Sequence, residues 1–206
     1  MLCPLEMLLL DKPRHRRSIR LKGYDYAWAG AYFVTVCIEQ KKCLFSRVAN
    51  GEMTLSSEGK IVKEEWLKTA EVRPYISLDL FVVMPNHFHG ILVIDKDAEE
   101  ADGRGTARCA PTIRQFGKMI PESLPAIIRG FKAGVTRRIN ILRNIPGAQV
   151  WQRNFYEHVI RDENSLNRIR KYIINNPLSW DLDRENPERR GEAGFYRWLA
   201  SFNKKM

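Results

Sequence analysis

Two histidines separated by one phenylalanine, His87 and His89, are the residues of this sequence best suited to chemistry. The apolar run that follows, Gly90 to Ile94, predicts a β-strand. Because alternate side chains of a strand share a face, both imidazoles should point the same way, and Phe88 should point to the other face. Two imidazoles about 6–7 Å apart at the backbone can bind one divalent cation. The pair alone is equally compatible with half-exposed histidines or with core histidines bonded to their neighbours.

A tyrosine and an asparagine later in the chain offer matching chemistry. Tyr172 and Asn176 are four residues apart in a segment of helical periodicity, so they lie one above the other on one helical face. A phenol beside a cation can attack phosphorus, which gives a covalent phosphotyrosine and a free 3′-OH. The carboxamide oxygen of Asn176 could be a third metal ligand. In isolation, a half-buried helix tyrosine and a helix C-terminal asparagine explain the two residues as well.

The elements that position these residues follow the order β-α-β-β-α-β-α. This order predicts an α+β, ferredoxin-like or RRM-like fold, in which a four-stranded antiparallel sheet carries its helices on one face. The third helix, with Tyr172, is an addition that we expect near the strand of the two histidines. The predicted strands are 31–38, 76–84, 87–94 and the extended segment 150–160, and the helices begin at Ser56-Ser57, at Ser123 and at Asp162 or Asn164, the third ending at Asn176-Pro177.

A chain of 206 residues is most simply one domain with terminal extensions. We expect a basic, flexible arm over 1–22, the folded domain over 23–183 with a mobile loop at about 96–117, and an extension over 184–206. The short apolar opening has no cationic segment before it and is typical of neither a signal peptide nor a spanning helix, so the cytoplasm is expected. The cysteines should be free thiols in a reducing compartment: Cys3, Cys37, Cys43 and Cys109.

The chain is strongly basic, with 34 Lys and Arg against 24 Asp and Glu and a net charge of +10. Such a balance favours nucleic-acid binding through phosphate neutralisation, although charge that serves solubility alone is the alternative. Residues 11–30 interleave basic and aromatic side chains, which is typical either of a segment that holds phosphates and stacks bases or of a solvated tail. The candidate contacts to a DNA backbone, from position alone, are Arg14, Arg16, Arg17, Arg20, Arg153 and Arg161.

Three motifs in this order resemble the single-tyrosine HUH transposases. The most similar branch is that of the REP-associated tyrosine transposases, relatives of the smallest bacterial insertion-sequence transposases. The resemblance spans about residues 16–183, and the three motifs are MPNHFHG over 84–90, WQRNFYEHVIR over 151–161 and IRKYIINNPLSW over 169–180.

This resemblance implies a function and a role for each site residue. His87 and His89 would bind Mg²⁺ or Mn²⁺, Asn176 would complete the metal site, and Tyr172 would be the nucleophile. Tyr156 lies in the second motif and competes for that role, but Tyr172 has the expected register with Asn-Pro. The family cleaves single-stranded DNA beside imperfect hairpins and rejoins it without external energy, as a monomer or a homodimer. A nucleoid-associated, cytoplasmic protein is expected.

Two rival functions remain open from the sequence. A non-catalytic nucleic-acid-binding module on the same fold would bind DNA without a metal and would not need Tyr172. A replication initiator or relaxase would use the same chemistry for another task, although only one helix tyrosine lies in the expected register.

Overall fold

The computed structural model describes residues 24–49, 51–95 and 120–188. Its main sheet has four strands in the order β4-β5-β1-β6, and every neighbouring pair is antiparallel. This is the strand order of the ferredoxin-like plan, so the predicted fold class is confirmed. The elements are β1 (Gly30–Cys37), β2 (Ser46–Ala49), β3 (Glu52–Leu55), α1 (Ser57–Glu71), β4 (Ile76–Val83), β5 (His87–Ile94), α2 (Leu124–Leu142), β6 (Tyr156–Ile160) and α3 (Glu163–Asn175), with short 3₁₀ helices at Glu39–Lys41 and Pro177–Leu182.

The two faces of the sheet carry separate hydrophobic cores. On one face α1 and α2 pack over β1 and β5 through a core that includes Trp66, Phe88 and Phe131. On the other face α3 packs through Ile169 and Ile173 against a smaller core. The third helix therefore lies across the sheet from the first two, on the face to which His87 and His89 point.

A short hairpin of β2 and β3 was not predicted from the sequence. Its four-residue strands pair only with each other, and Val48 and Met53 pack at the edge of the smaller core. The predicted segment 150–160 is also only partly a strand, because β6 begins at Tyr156 and Trp151 makes a single bridge to Ile38. Strands this short carry too few alternating residues to be recognised by periodicity.

Strand β5 is held from behind by close aromatic packing. Phe88 lies against Trp66, with ring centroids 4.7 Å apart. A Cβ on Gly90 would come within 2.7 Å of Trp66 Cζ2 and 2.8 Å of the Phe88 ring, so only glycine fits here without displacement. This packing fixes which face of the strand turns towards α3.

Several expectations fall outside the described residues. They are the basic arm over 1–22 with Arg14, Arg16, Arg17 and Arg20, the loop at about 96–117, and the extension beyond 188. Within the ranges that the structure describes, none of the helices has the length and apolar character needed to span a membrane.

Candidate active site

His87 and His89 lie side by side on β5, at the end of the strand that follows the tight 84–86 connection. Their ring centroids are 4.6 Å apart, and both side chains are almost completely buried. Phe88 points into the opposite core, as the strand alternation predicts. Burial lowers the pKa of His87 to about 3, with a smaller effect from Lys41, and it lowers the pKa of His89 well below its usual value. Both imidazoles are therefore neutral near pH 7 and able to act as ligands.

The hydrogen bonds of Asn86 fix the tautomer of His87. The Asn86 side-chain nitrogen donates to the carbonyl oxygens of Lys41 at 3.1 Å and Glu185 at 2.7 Å, so its oxygen faces the imidazole. That oxygen lies 3.0 Å from His87 Nδ1, which must then carry the proton. Nε2 of His87 is left with a lone pair, and it has no hydrogen-bond partner within the described part of the chain.

His89 is held between β1 and α3. Thr35 is its register partner on β1, and the Thr35 hydroxyl lies 2.8 Å from His89 Nδ1. On the other side, the Tyr172 hydroxyl lies 3.0 Å from His89 Nε2. Both hydroxyls can donate or accept, so the contacts alone do not fix the tautomer. A proton on Nδ1, donated to Thr35, would leave the Nε2 lone pair for Tyr172 or a cation.

Helix α3 is docked so that Tyr172 and Asn176 face the histidines' side of the sheet. Asp162 caps its first turn by accepting a hydrogen bond from Ser165 N at 2.8 Å. Ile169 and Ile173 then pack into the smaller core, and the α-helix ends at the residue before Asn176-Pro177. Asn176 is only 1% exposed, and its Oδ1 finds no hydrogen-bond partner among the residues described.

Asp183 is a site residue that the sequence analysis missed. The 3₁₀ helix Pro177–Leu182 turns the chain back, so that Asp183 Oδ2 lies 3.8 Å from His87 Nε2. Burial raises the pKa of Asp183 to about 6. No motif links this carboxylate to the histidines, because their proximity depends on how the chain turns after α3.

The donor set fits a divalent cation. One ligand atom each from His87, His89 and Asp183 can be chosen so that all lie within 4.8 Å of one another. A neutral imidazole lone pair faces a carboxylate without an intervening proton, and a buried amide oxygen at Asn176 also lacks a donor. Unsatisfied buried lone pairs are unfavourable by about 1–3 kcal/mol each, and a bound cation would satisfy them. Imidazole and oxygen ligands together suit a first-row divalent ion.

The other candidate residues from the sequence, Tyr156, Arg153 and Arg161, lie farther from the two histidines. Tyr156 is half-buried and pairs with Thr35 on β1, so it lies two strands from His89, about 10 Å at the backbone. Arg153 is exposed in the segment that bonds to the His87 end of β1, through Gln152 N and Cys37 O. Arg161 is exposed just beyond β6 at the far end of the sheet, about 20 Å of strand away from His87.

Sequence comparisons find related proteins. No protein-family model matches the chain. An uncharacterized protein of Haemophilus influenzae is 41% identical over 174 residues, which cover 82% of this chain and 92% of that protein. A second protein of that organism, provisionally named REP-associated tyrosine transposase, is 23% identical over 155 residues, 75% of this chain and 73% of its own length.

A solved structure shares the fold. It is the structure of a REP-associated tyrosine transposase bound to a REP hairpin, and it matches with a TM-score of 0.52 at 19% identity over 80% of this chain and 74% of that one. The chain belongs to the family of the Haemophilus influenzae protein that is 41% identical to it. Its resemblance to the REP-associated tyrosine transposases, drawn from the sequence, is confirmed.

Proposed function

We propose that this protein is a metal-dependent transposase that binds, cleaves and rejoins single-stranded DNA beside hairpins through a covalent 5′-phosphotyrosine. One observation carries the proposal above all. The Tyr172 hydroxyl lies 3.0 Å from Nε2 of a buried, neutral histidine whose strand neighbour has an unused lone pair. The contact supports the proposal because a nucleophile can be activated by an adjacent metal ion, and His89 is a prospective ligand of that ion.

Tyr172 is the proposed nucleophile, and the step balances as a phosphoryl transfer. The phenol oxygen forms a bond to phosphorus, the bond between phosphorus and the 3′ oxygen breaks, the phenolic proton is lost and the departing oxygen gains a proton. The phosphotyrosine retains the energy of the broken bond, so attack by a 3′-OH reverses the step and joins DNA. Tyr156, which pairs with Thr35 on β1, serves as the internal comparison.

His87, His89 and Asn176 are the proposed metal ligands, and Asp183 is placed to supply a carboxylate beside them. A bound Mg²⁺ or Mn²⁺ would polarise the scissile phosphate and stabilise the charge that develops on it. Asn86 contacts Nδ1 of His87, and Thr35 contacts Nδ1 of His89. These contacts orient the two Nε2 atoms towards the proposed metal site.

Single-stranded DNA with hairpins is the proposed substrate. The related protein of known structure is bound to a REP hairpin, and the +10 net charge of this chain suits a polyanionic ligand. We propose that Arg153 and Arg161 contact the DNA backbone, together with Arg14, Arg16, Arg17 and Arg20. Arg153 lies before β6 and Arg161 directly after it. This separation would suit single-stranded DNA that extends beyond the cleavage site.

The test is cleavage of labelled hairpin oligonucleotides, taken from the flanks of the gene, in Mn²⁺ or EDTA. We expect a metal-dependent covalent protein–DNA adduct that is lost in Tyr172→Phe and kept in Tyr156→Phe. DNA binding that ignores metal and forms no adduct on any hairpin would instead favour the non-catalytic binding module. An adduct that is lost in Tyr156→Phe would transfer the nucleophile role to Tyr156.

A further inference from the structure

An ion pair fastens α3 to the edge strand of the sheet. The Arg170 guanidinium donates from Nε to Asp79 Oδ2 at 3.0 Å and from Nη2 to the same oxygen at 2.6 Å, and Nε also approaches Oδ1 at 3.3 Å. Asp79 is held in turn, because its Oδ1 accepts a hydrogen bond from Leu80 N at 2.6 Å. Forked contacts of this kind define geometry better than a single charge contact does.

A β-bulge places Asp79 and Leu80 together on the face of the sheet that α3 covers. The register of β4 against β5 shifts between Leu78 and Phe81, so that Asp79 and Leu80 stand opposite the single residue Ile91. Leu80 packs in the core beneath α3, and Asp79 faces the same side because it alternates with Leu78, which packs in the opposite core. Bulges near functional sites commonly redirect a side chain in this way.

Arg170 and Tyr172 lie on opposite flanks of the buried stripe of α3. At about 100° per residue they are about 160° apart around the helix, with Ile169 and Ile173 between them. The apolar contacts of Ile169 and Ile173 are not directional, whereas Arg170 holds one flank of α3 to β4 and Tyr172 approaches His89 on the other. The ion pair therefore resists rotation of α3 about its own axis.

The phenol oxygen is sensitive to such a rotation. It lies about 9 Å from the helix axis, so a roll of about 10° displaces it by about 1.5 Å. Its distance from His89 Nε2 is 3.0 Å, which leaves little tolerance. Misplacement of a reacting group by about 1 Å can slow a reaction by about 100-fold.

We propose that Asp79 and Arg170 are positioning residues that set the rotation of α3 and thereby aim Tyr172 at the scissile phosphate. The inference rests on the proposed function, since it takes Tyr172 as the nucleophile. It assigns no contact with DNA or metal to either residue. Consequently the pair should affect the rate of adduct formation much more than the affinity for DNA.

The test compares Arg170→Gln and Asp79→Asn with a matched control, Arg138→Gln. Arg138 is 37% exposed against 35% for Arg170, and it contacts two carboxylates, Glu64 and Glu65, on the opposite face of the sheet, as Arg170 contacts Asp79 and Glu163. With saturating protein, Arg170→Gln should slow single-turnover adduct formation by about 10- to 100-fold and change hairpin affinity less than threefold. The control should change neither quantity.

Two further variants separate positioning from loss of folding. Arg170→Lys retains the charge without the fork and should give an intermediate rate, and the reversed pair Asp79→Arg with Arg170→Asp should recover part of the loss. All rates are measured about 10 °C below the lowest melting temperature. A saturated rate for Arg170→Gln within twofold of wild type would overturn the inference, as would a loss confined to DNA affinity.

An NMR measurement tests the positioning role independently of adduct formation. If the wild type forms no adduct on any hairpin, the proposed function is refuted, and the NMR result still shows whether Asp79 and Arg170 position Tyr172. The ring carbon signals of Tyr172 in ¹³C-tyrosine-labelled protein are assigned by their absence in Tyr172→Phe. We expect them to shift or broaden in Arg170→Gln and to stay unchanged in Arg138→Gln. Identical Tyr172 signals in wild type and Arg170→Gln would refute the positioning role.

Discussion

Replacement of Thr35 by valine should weaken metal binding without removing a metal ligand. Valine keeps the shape of threonine and removes only the hydroxyl, which lies 2.8 Å from Nδ1 of His89. Thr35 is 7% exposed and His89 is 1% exposed, so water cannot readily replace the lost partner. The imidazole then loses the contact that orients its ring, and its Nδ1 is left unsatisfied.

The magnitude follows from these contacts. Loss of a hydrogen bond behind a ligating histidine typically lowers metal affinity by about 10- to 100-fold. That range corresponds to about 1.4–2.7 kcal/mol, which agrees with about 1–3 kcal/mol for a buried polar atom left without a partner. We therefore expect the Mn²⁺ dissociation constant of Thr35→Val to rise by at least tenfold.

The assay is calorimetric titration of Mn²⁺ into wild type, Thr35→Val and Thr69→Val near neutral pH. Thr69 is a matched control, since it is 3% exposed and its hydroxyl donates to the Glu65 carbonyl oxygen within α1. Urea denaturation without metal establishes that both variants are folded. An affinity of Thr35→Val within twofold of wild type would show that Thr35 does not orient His89 as a ligand.

Three other expectations concern metal competition, pH and packing. Tyr172→Phe should bind Mn²⁺ about 2- to 10-fold more tightly than wild type by the same titration, because Mn²⁺ then does not have to displace the phenol from His89 Nε2. Weaker binding would contradict the idea that the phenol and the metal compete for this lone pair. Without metal, the free energy of unfolding should fall by about 1 kcal/mol per pH unit between pH 6 and 5. Over this range both histidines become protonated in the unfolded chain but stay neutral in the folded protein, where the pKa of His87 is about 3 and that of His89 is also lowered. The raised pKa of Asp183 offsets part of this loss, because the folded protein binds a proton there. Urea midpoints that stay constant between pH 6 and 5 would refute the expectation. Gly90→Ala should lower the free energy of unfolding by about 1–3 kcal/mol, because its methyl group meets the Trp66 ring; an unchanged urea midpoint would show that the ring moves aside freely.

The sequence predicted the parts of the site that periodicity determines. Strand alternation placed His87 and His89 on one face, and helical spacing placed Tyr172 and Asn176 on the face that packs against the sheet. These regularities repeat within a few residues, so they can be recognised in the sequence without knowledge of the tertiary fold.

Other parts depend on contacts between distant segments. Thr35 reaches His89 through the register of β1 against β5, 54 residues apart, and Asp183 reaches His87 through an irregular turn. The bulge at Asp79 and Leu80 breaks the alternation of β4, so the sequence pattern does not show that both residues face α3. A local pattern cannot specify such pairings, because they are decided by how whole elements pack.

The position of the site depends on residues that do not contact it, because β5 directs Phe88 into the core under α1 and α2 and directs His87 and His89 to the face that α3 covers. A slip of one residue in its pairing would bury His87 and His89 under α1 and α2 and turn Phe88 towards α3. The Phe88 ring beside Trp66 opposes that slip from the far face. The connection before the strand opposes it from the end, since Asn86 O accepts from Ile38 N and Pro85 O accepts from Leu44 N and Phe45 N. Packing on one face of the sheet thus sets the position of the proposed ligands on the other, and a core variant such as Gly90→Ala should weaken Mn²⁺ binding as well as stability.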